Sequence, residues 1–187
     1  MPINMTTIKV RLNGIRPLMF DRYAGDNDTN LAVEEKMYLT DDRQLIMPAL
    51  NVLSLLAAEN GKSVAKVFFG KNWRNIALGI SSYTNVEPFE IPIQDDKGPI
   101  YFRGFNEQIF RHKSVARLAK GIPNPKDRPC LVLPWQIEFD IEYQENKLCT
   151  LENLRTAIAM GGTLGLGTFR PYFGRYDLVG WEVREVR

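Results

Sequence analysis

The residues with the most chemistry per unit length lie between Gly161 and Tyr176, in the run GGTLGLGTFRPYFGRY. Gly161, Gly162, Gly165, Gly167 and Gly174 are interleaved with the guanidinium groups of Arg170 and Arg175 and the rings of Phe169, Tyr172 and Phe173. Guanidinium groups match phosphate oxygens, and rings stack on nucleobases of a single strand. Glycines let backbone amides come close to phosphates. The chemistry these types suggest is recognition of a single-stranded nucleic acid, with Gly165, Gly167, Arg170, Tyr172, Phe173, Gly174 and Arg175 in contact. The same run also reads as a helix end followed by a tight turn, with the rings tucked into the core. Both readings stand at this point.

A second concentration runs from Tyr101 to Arg128. Arg103, Arg111, Lys113, Arg117, Lys120, Lys126 and Arg128 face only Glu107 and Asp127, and Tyr101, Phe102, Phe105 and Phe110 lie among them. A one-signed run of this kind releases counter-ions when it meets a phosphate chain. It also fits a plain solvated loop. Arg16 and Arg22, around Met19 and Phe20, extend the set. His112 is the only histidine. As a general base it would make the protein a metal-independent endoribonuclease, given a positioned 2′-hydroxyl and help from Tyr101, Tyr172 or Lys113.

Other chemistries lack their residues. Two cysteines, Cys130 and Cys149, with one histidine and no C-x-x-C pair leave no zinc cluster. No G-x-x-x-x-G-K-[ST] or G-x-S-x-G occurs, and the G-x-G of Gly165 and Gly167 follows a helical pattern where a dinucleotide fingerprint follows a strand. The paired acids, such as Asp41 and Asp42 or Asp95 and Asp96, fall in turns, where aspartate serves the backbone. Neither a metal nor a cofactor is expected. With 44% hydrophobic and 25% charged residues and a net charge of +2, the composition is that of an ordinary soluble protein. The start of the chain lacks the apolar run of a signal peptide, and no stretch approaches a membrane span. A cytoplasmic protein with reduced thiols is expected.

These residues need elements to position them. Ile8, Val10 and Leu12 alternate with Lys9 and Arg11, a half-buried strand. Leu31 to Tyr38 reads as a short helix, and Leu39 to Met47 as half of a hairpin. Pro48 to Asn60 reads as a helix, opened by a proline and closed by Gly61. Leu78 to Ile93 reads as strand, broken near Pro88. Tyr101 to Arg128, closed by Pro123, Pro125 and Pro129, reads as an irregular excursion. Trp135, Ile137, Phe139, Ile141 and Tyr143 alternate with Gln136, Glu138, Asp140 and Glu142, the clearest strand. Thr150 is the expected N-cap of a helix through Leu154, Ala157 and Ile158 that the glycine-rich run ends. A last strand follows from Tyr176, with Val179, Trp181 and Val183 on one face.

The order of long elements is strand, helix, strand, strand, helix, strand. It predicts an α+β, ferredoxin-like (RRM-like) βαββαβ fold: a four-stranded antiparallel sheet with two helices. One domain over 1–187 is expected, with insertions at about 31–47 and 94–134. The outward positions of the sheet are Lys9, Arg11, Glu138, Asp140 and Glu142, so cross-strand ion pairs are expected there in place of base-stacking rings. Nucleic-acid binding then falls to the loops.

The run GLGTFRPYFGRY resembles the C-terminal glycine-rich loop of the RAMP superfamily of CRISPR-associated proteins, with Gly165, Gly167 and Gly174 in the glycine positions. A second likeness is LIMPALNVLSLL, Leu45 to Leu56, where a strand ends in a proline and leads directly into the first helix. Ala49 stands where the family's usual P-G junction has glycine. The chain also looks like small phage and prophage proteins with the starts and endings seen at Ile15 to Met19 and Phe169 to Arg175. The resemblance implies a ferredoxin-like fold and a non-catalytic protein that binds single-stranded RNA, with DNA as an alternative. It implies a homo-oligomer or a backbone-type subunit of a CRISPR-like or phage-encoded ribonucleoprotein. In some relatives it implies guide-RNA cleavage. A structural protein of phage origin, whose loop meets a protein partner, is the third reading.

Overall fold

The computed structural model describes residues 5–26, 28–117, 121 and 123–185. In chain order the elements begin with β1 (Met5–Gly14), β2 (Leu18–Met19) and β3 (Ile46–Pro48). The helices α1 (Ala49–Ala57), α2 (Val64–Phe68) and α3 (Trp73–Tyr83) follow. Next come β4 (Thr84–Glu87), β5 (Glu90–Asp95), β6 (Gly98–Pro99), β7 (Ile109–Arg117), β8 (Pro123–Leu131) and β9 (Gln136–Gln144). The chain closes with α4 (Leu151–Leu164) and β10 (Tyr176–Glu185).

The main sheet runs β10, β1, β9, with β4 and β5 sharing the far edge of β9 and β3 lying beyond β5. Every pairing is antiparallel. With β1, β4, β9 and β10 as its four strands, this is the ferredoxin-like arrangement expected from the sequence. β1 sits inside the sheet because both its edges are paired, and its alternation buries Ile8, Val10 and Leu12 against the helices. β9 alternates likewise: Ile137, Phe139, Ile141 and Tyr143 are buried. On the open face Glu138 receives Lys9 at 2.6 Å and Arg11 at 2.7 Å, the cross-strand pairing expected of these residues.

Several local readings change. Residues 78–83 belong to α3, whose Ile76, Ala77 and Ile80 bury one helical face, and the strand begins only at Thr84. Leu31 to Tyr38 holds no more than a 3₁₀ turn at Glu34–Lys36, none of whose three residues is buried. Tyr101 to Arg128 is not an irregular excursion. It contains the β7–β8 hairpin, which with β2 forms a second, three-stranded sheet. The prolines that suggested a loop share one parity along β8. The Pro129 carbonyl accepts from the Phe20 amide on the β2 side, so the missing N–H groups of Pro123, Pro125 and Pro129 all fall on the edge away from β7. In β10 a bulge between the partners of Arg11 and Leu12 turns Val179 out to solvent, off the face shared by Trp181 and Val183.

α4 opens as expected, with the Thr150 hydroxyl accepting from the Asn153 amide at 3.2 Å. It runs through Gly161 and Gly162 to Leu164, so these two glycines belong to the helix and not to the loop. They let α4 lie directly on β10. The Tyr176 hydroxyl donates to the Ile158 carbonyl at 2.9 Å, and a Cβ on Gly162 would run into the Tyr176 carbonyl.

Glycine to alanine inside a helix ordinarily stabilises by about 1 kcal/mol. Gly162→Ala is expected to do the reverse here and cost about 1–3 kcal/mol through backbone displacement, read as a lower midpoint in urea unfolding. Lys9 and Arg11 hold the Glu138 carboxyl below its ordinary pKa. Their contribution is present above the unfolded value of about 4.3 and fades as pH falls through the lower folded one. Glu138→Gln should therefore cost under about 1 kcal/mol at neutral pH, and the gap to wild type should close in acid.

Candidate nucleic-acid interface

The loop from Gly165 to Arg175 is tied down by backbone bonds. The Leu166 amide donates to the Gly174 carbonyl at 2.9 Å, closing the base of the loop. The Gly174 amide donates to Pro17 at 2.7 Å, the Thr168 amide to Met19 at 3.0 Å, and the Ile15 amide to Arg175 at 2.8 Å. The loop is thus laced to the segment that carries β2. Gly165, Gly167 and Gly174 have φ of 84°, 73° and 72°. At Gly174 a side chain would also collide with the Leu166 carbonyl, so the close approach admits glycine alone. The amides of Gly165 and Gly174 are used inside the protein, which corrects their expected role as phosphate donors. Among the described residues, the amides of Gly167, Phe169 and Arg170 carry no hydrogen bond.

The side chains divide sharply. Phe173 is 9% exposed and packs on Met19, Cys130 and Phe110, with its ring 5.4 Å from that of His112. Its expected role as a stacking surface is corrected: it is the foundation of the loop. Tyr172 is 76% exposed and Phe169 is 42% exposed, their rings 5.7 and 6.2 Å from Phe173. The Arg170 guanidinium lies on the surface and donates to the Gly165 carbonyl at 3.3 Å; partial burial pushes its pKa down. Arg175 is half-buried, and its Nε is enclosed without a partner among the described residues. Arg16 is exposed beside the loop, its amide donating to the Arg175 carbonyl at 3.3 Å and its own carbonyl accepting from Trp135 Nε1 at 2.8 Å.

Arg22, Arg111 and Lys113 do not converge on this loop. Strand parity puts Phe110 and His112 on the hairpin face that meets Phe173, and Arg111 and Lys113 on the opposite face. Arg111 pairs with Asp127 and sits over the Phe105 ring. Arg22 donates to the Glu35 carbonyl at 3.0 Å, beside the 3₁₀ turn. Arg103 is exposed. Lys120 and the Arg117 side chain lie outside the described residues. His112 is wedged edge-on between Phe110 and Phe173, its Nδ1 enclosed and unpaired among the described residues, with Arg128 as its cross-strand neighbour. That setting gives it a packing role. Cys130 and Cys149 are buried thiols, pushed up to about 12 and about 11 by burial, so neither is poised as a nucleophile. Among the described residues no cluster of three or more His, Cys, Asp or Glu is placed to hold a metal, and no helix is long and apolar enough to cross a membrane.

Two features escaped the sequence reading. Arg128 belongs to the basic run by sequence, yet it is 6% exposed, donates from Nε to Asp21 at 2.7 Å, and lies 5.8 Å from the Phe169 ring. It props the exposed ring from below. The second is a cavity of about 430 Å³ between α1 and the loop, whose wall includes Asn51, Ser54, Lys62, Thr168 and Arg170. Asn51, Ser54 and Ala58 recur at helical spacing as a polar and small stripe on a helix otherwise rich in leucine, a signal the sequence does carry.

No family model matches the chain, and no curated protein does. Among solved structures it is similar to a chain of the cryo-EM structure of the Type III-B Cmr-beta bound to cognate target RNA, with 12% identity and a TM-score of 0.59. The match covers 97% of this chain and 61% of that one. At this identity the likeness shows the fold, an α+β ferredoxin-like architecture.

The division of labour within the loop is measurable. Phe173→Ala should destabilise the protein by about 3 kcal/mol through the cavity it leaves. Tyr172→Ala should change stability by less than about 0.5 kcal/mol. Urea unfolding of the two variants checks both.

Proposed function

We propose that this protein binds single-stranded RNA through the Gly167–Tyr172 face of the loop, as a subunit of a ribonucleoprotein assembly. The observation that carries the reading is the exposed pair Tyr172 and Phe169, standing on buried Phe173 with the Arg170 guanidinium between them in sequence. Water solvates two such rings poorly, whereas successive bases of a single strand stack on them. Arg170 takes a phosphate, and the amides of Gly167, Phe169 and Arg170 add donors of fixed direction. Arg16 extends the cationic edge. Arg175, half-buried, holds the base of the loop. Lys113 and Arg103 would reach the strand only where it continues past the hairpin. The acidic open face of the main sheet is left out of the path. The likeness in fold to a chain of an RNA-bound Cmr structure supports an RNA ligand and a place in a CRISPR-related assembly.

Filter binding of single-stranded RNA and DNA across a salt series tests this. Wild type should bind RNA at low salt, with a log–log slope of roughly −0.7 per phosphate contact. Arg170→Ala with Tyr172→Ala should weaken binding at least about tenfold at unchanged stability. No binding by wild type, or an unchanged affinity in the double variant, overturns the reading. Tighter binding of DNA would transfer the same site to that polymer.

A further inference from the structure

Beneath the loop, the cavity against α1 has the chemistry of a single nucleotide. Its floor is apolar: Phe20, Met47, Leu55 and Leu166 all line it, and each is almost fully buried. Its rim is polar, with the Asn51 amide and the Ser54 hydroxyl on α1 and Thr168 on the loop. Two cations, Lys62 and Arg170, stand on the wall. The acid on the wall, Asp21, is already neutralised, because buried Arg128 holds its carboxylate at 2.7 Å. The lining is therefore net positive. An apolar floor suits the face of a heterocycle, amide and hydroxyl groups suit its edge, and paired cations suit a phosphate. At about 430 Å³ the space falls within the range of small-molecule sites. Arg170 belongs to both the cavity and the exposed loop, so one phosphate can serve both.

We infer that this cavity seats one nucleotide, a base turned out of the bound strand with its phosphate between Lys62 and Arg170, and that it confers base preference at that position. This rests on the reading that the loop binds a single strand. Unstacking a base in a single strand costs little, and groups that hydrogen-bond one base edge leave their polar atoms unpaired with another. Tyr172 outside the cavity stacks without discrimination.

The test is titration of four fluorescently labelled RNA homopolymers of equal length at fixed salt, with wild type, Ser54→Phe, Lys62→Ala and Tyr172→Ala. Ser54 is exposed on α1, so the phenyl ring fills the cavity mouth without entering the core. Wild type should rank the homopolymers over at least about tenfold. Ser54→Phe should flatten that ranking, and Lys62→Ala should weaken the preferred polymer more than the others. Tyr172→Ala should weaken all four and keep their order. Binding of all four within about twofold by wild type, or an intact ranking in both cavity variants, overturns the inference and leaves loop binding standing. If no homopolymer binds, the loop reading fails first, and calorimetry with AMP, GMP, CMP and UMP decides the cavity. Binding abolished by Ser54→Phe assigns it to free nucleotides, and no binding removes it.

Discussion

The contact between α4 and Tyr176 governs the rest of the molecule. Two glycines at the end of a helix bring its backbone onto β10 with nothing between them but the tyrosine. The phenol is buried, and burial pushes its pKa up, so it stays a neutral donor to the Ile158 carbonyl. Because helix and strand are locked at that point, the intervening residues must leave and return at one place. They have to form a closed loop over the hairpin sheet, not a wandering connection.

That loop resolves a conflict set by composition. Rings are unfavourable to expose and guanidinium groups are expensive to bury, and the structure does some of each. Phe173 goes inward, joins Met19 and Cys130, and fixes the loop to the second sheet. Tyr172 and Phe169 go outward on that support. Arg128 takes a nearly buried position that is tolerable because Asp21 pairs with it. The same pair strips the neighbouring cavity of negative charge. Stability and the electrostatics of the candidate site therefore share residues.

The hairpin illustrates how a strand sorts charge. β7 and β8 alternate, so one face offers Phe110 and His112 to the loop and the other offers Arg111 and Lys113 to solvent. A run that reads as one basic patch in sequence is two surfaces in space. The face that meets the glycine-rich loop does so through Phe110 and His112, and its Arg128 is paired with Asp21.

The amino-acid order by itself determined the ferredoxin-like plan, because β1, β9 and β10 alternate with period two and α1 and α4 repeat near 3.6. It determined the Lys9–Glu138–Arg11 pairing and the Thr150 cap as well, since these depend on parity and on local geometry. It also pointed to the glycine-rich run as the place of interest. It could not say which of Tyr172 and Phe173 faces water, because both are aromatic and adjacent and only the position of Met19 and Cys130 decides between them. It could not recognise β8 as a strand, because proline forbids a ladder bond and only the pairing shows that the missing donors all lie on one edge. The cavity was beyond its reach because Thr168 and Arg170 are far from Ser54 and Lys62 in the chain, and packing of α1 against the loop is what brings them to one wall.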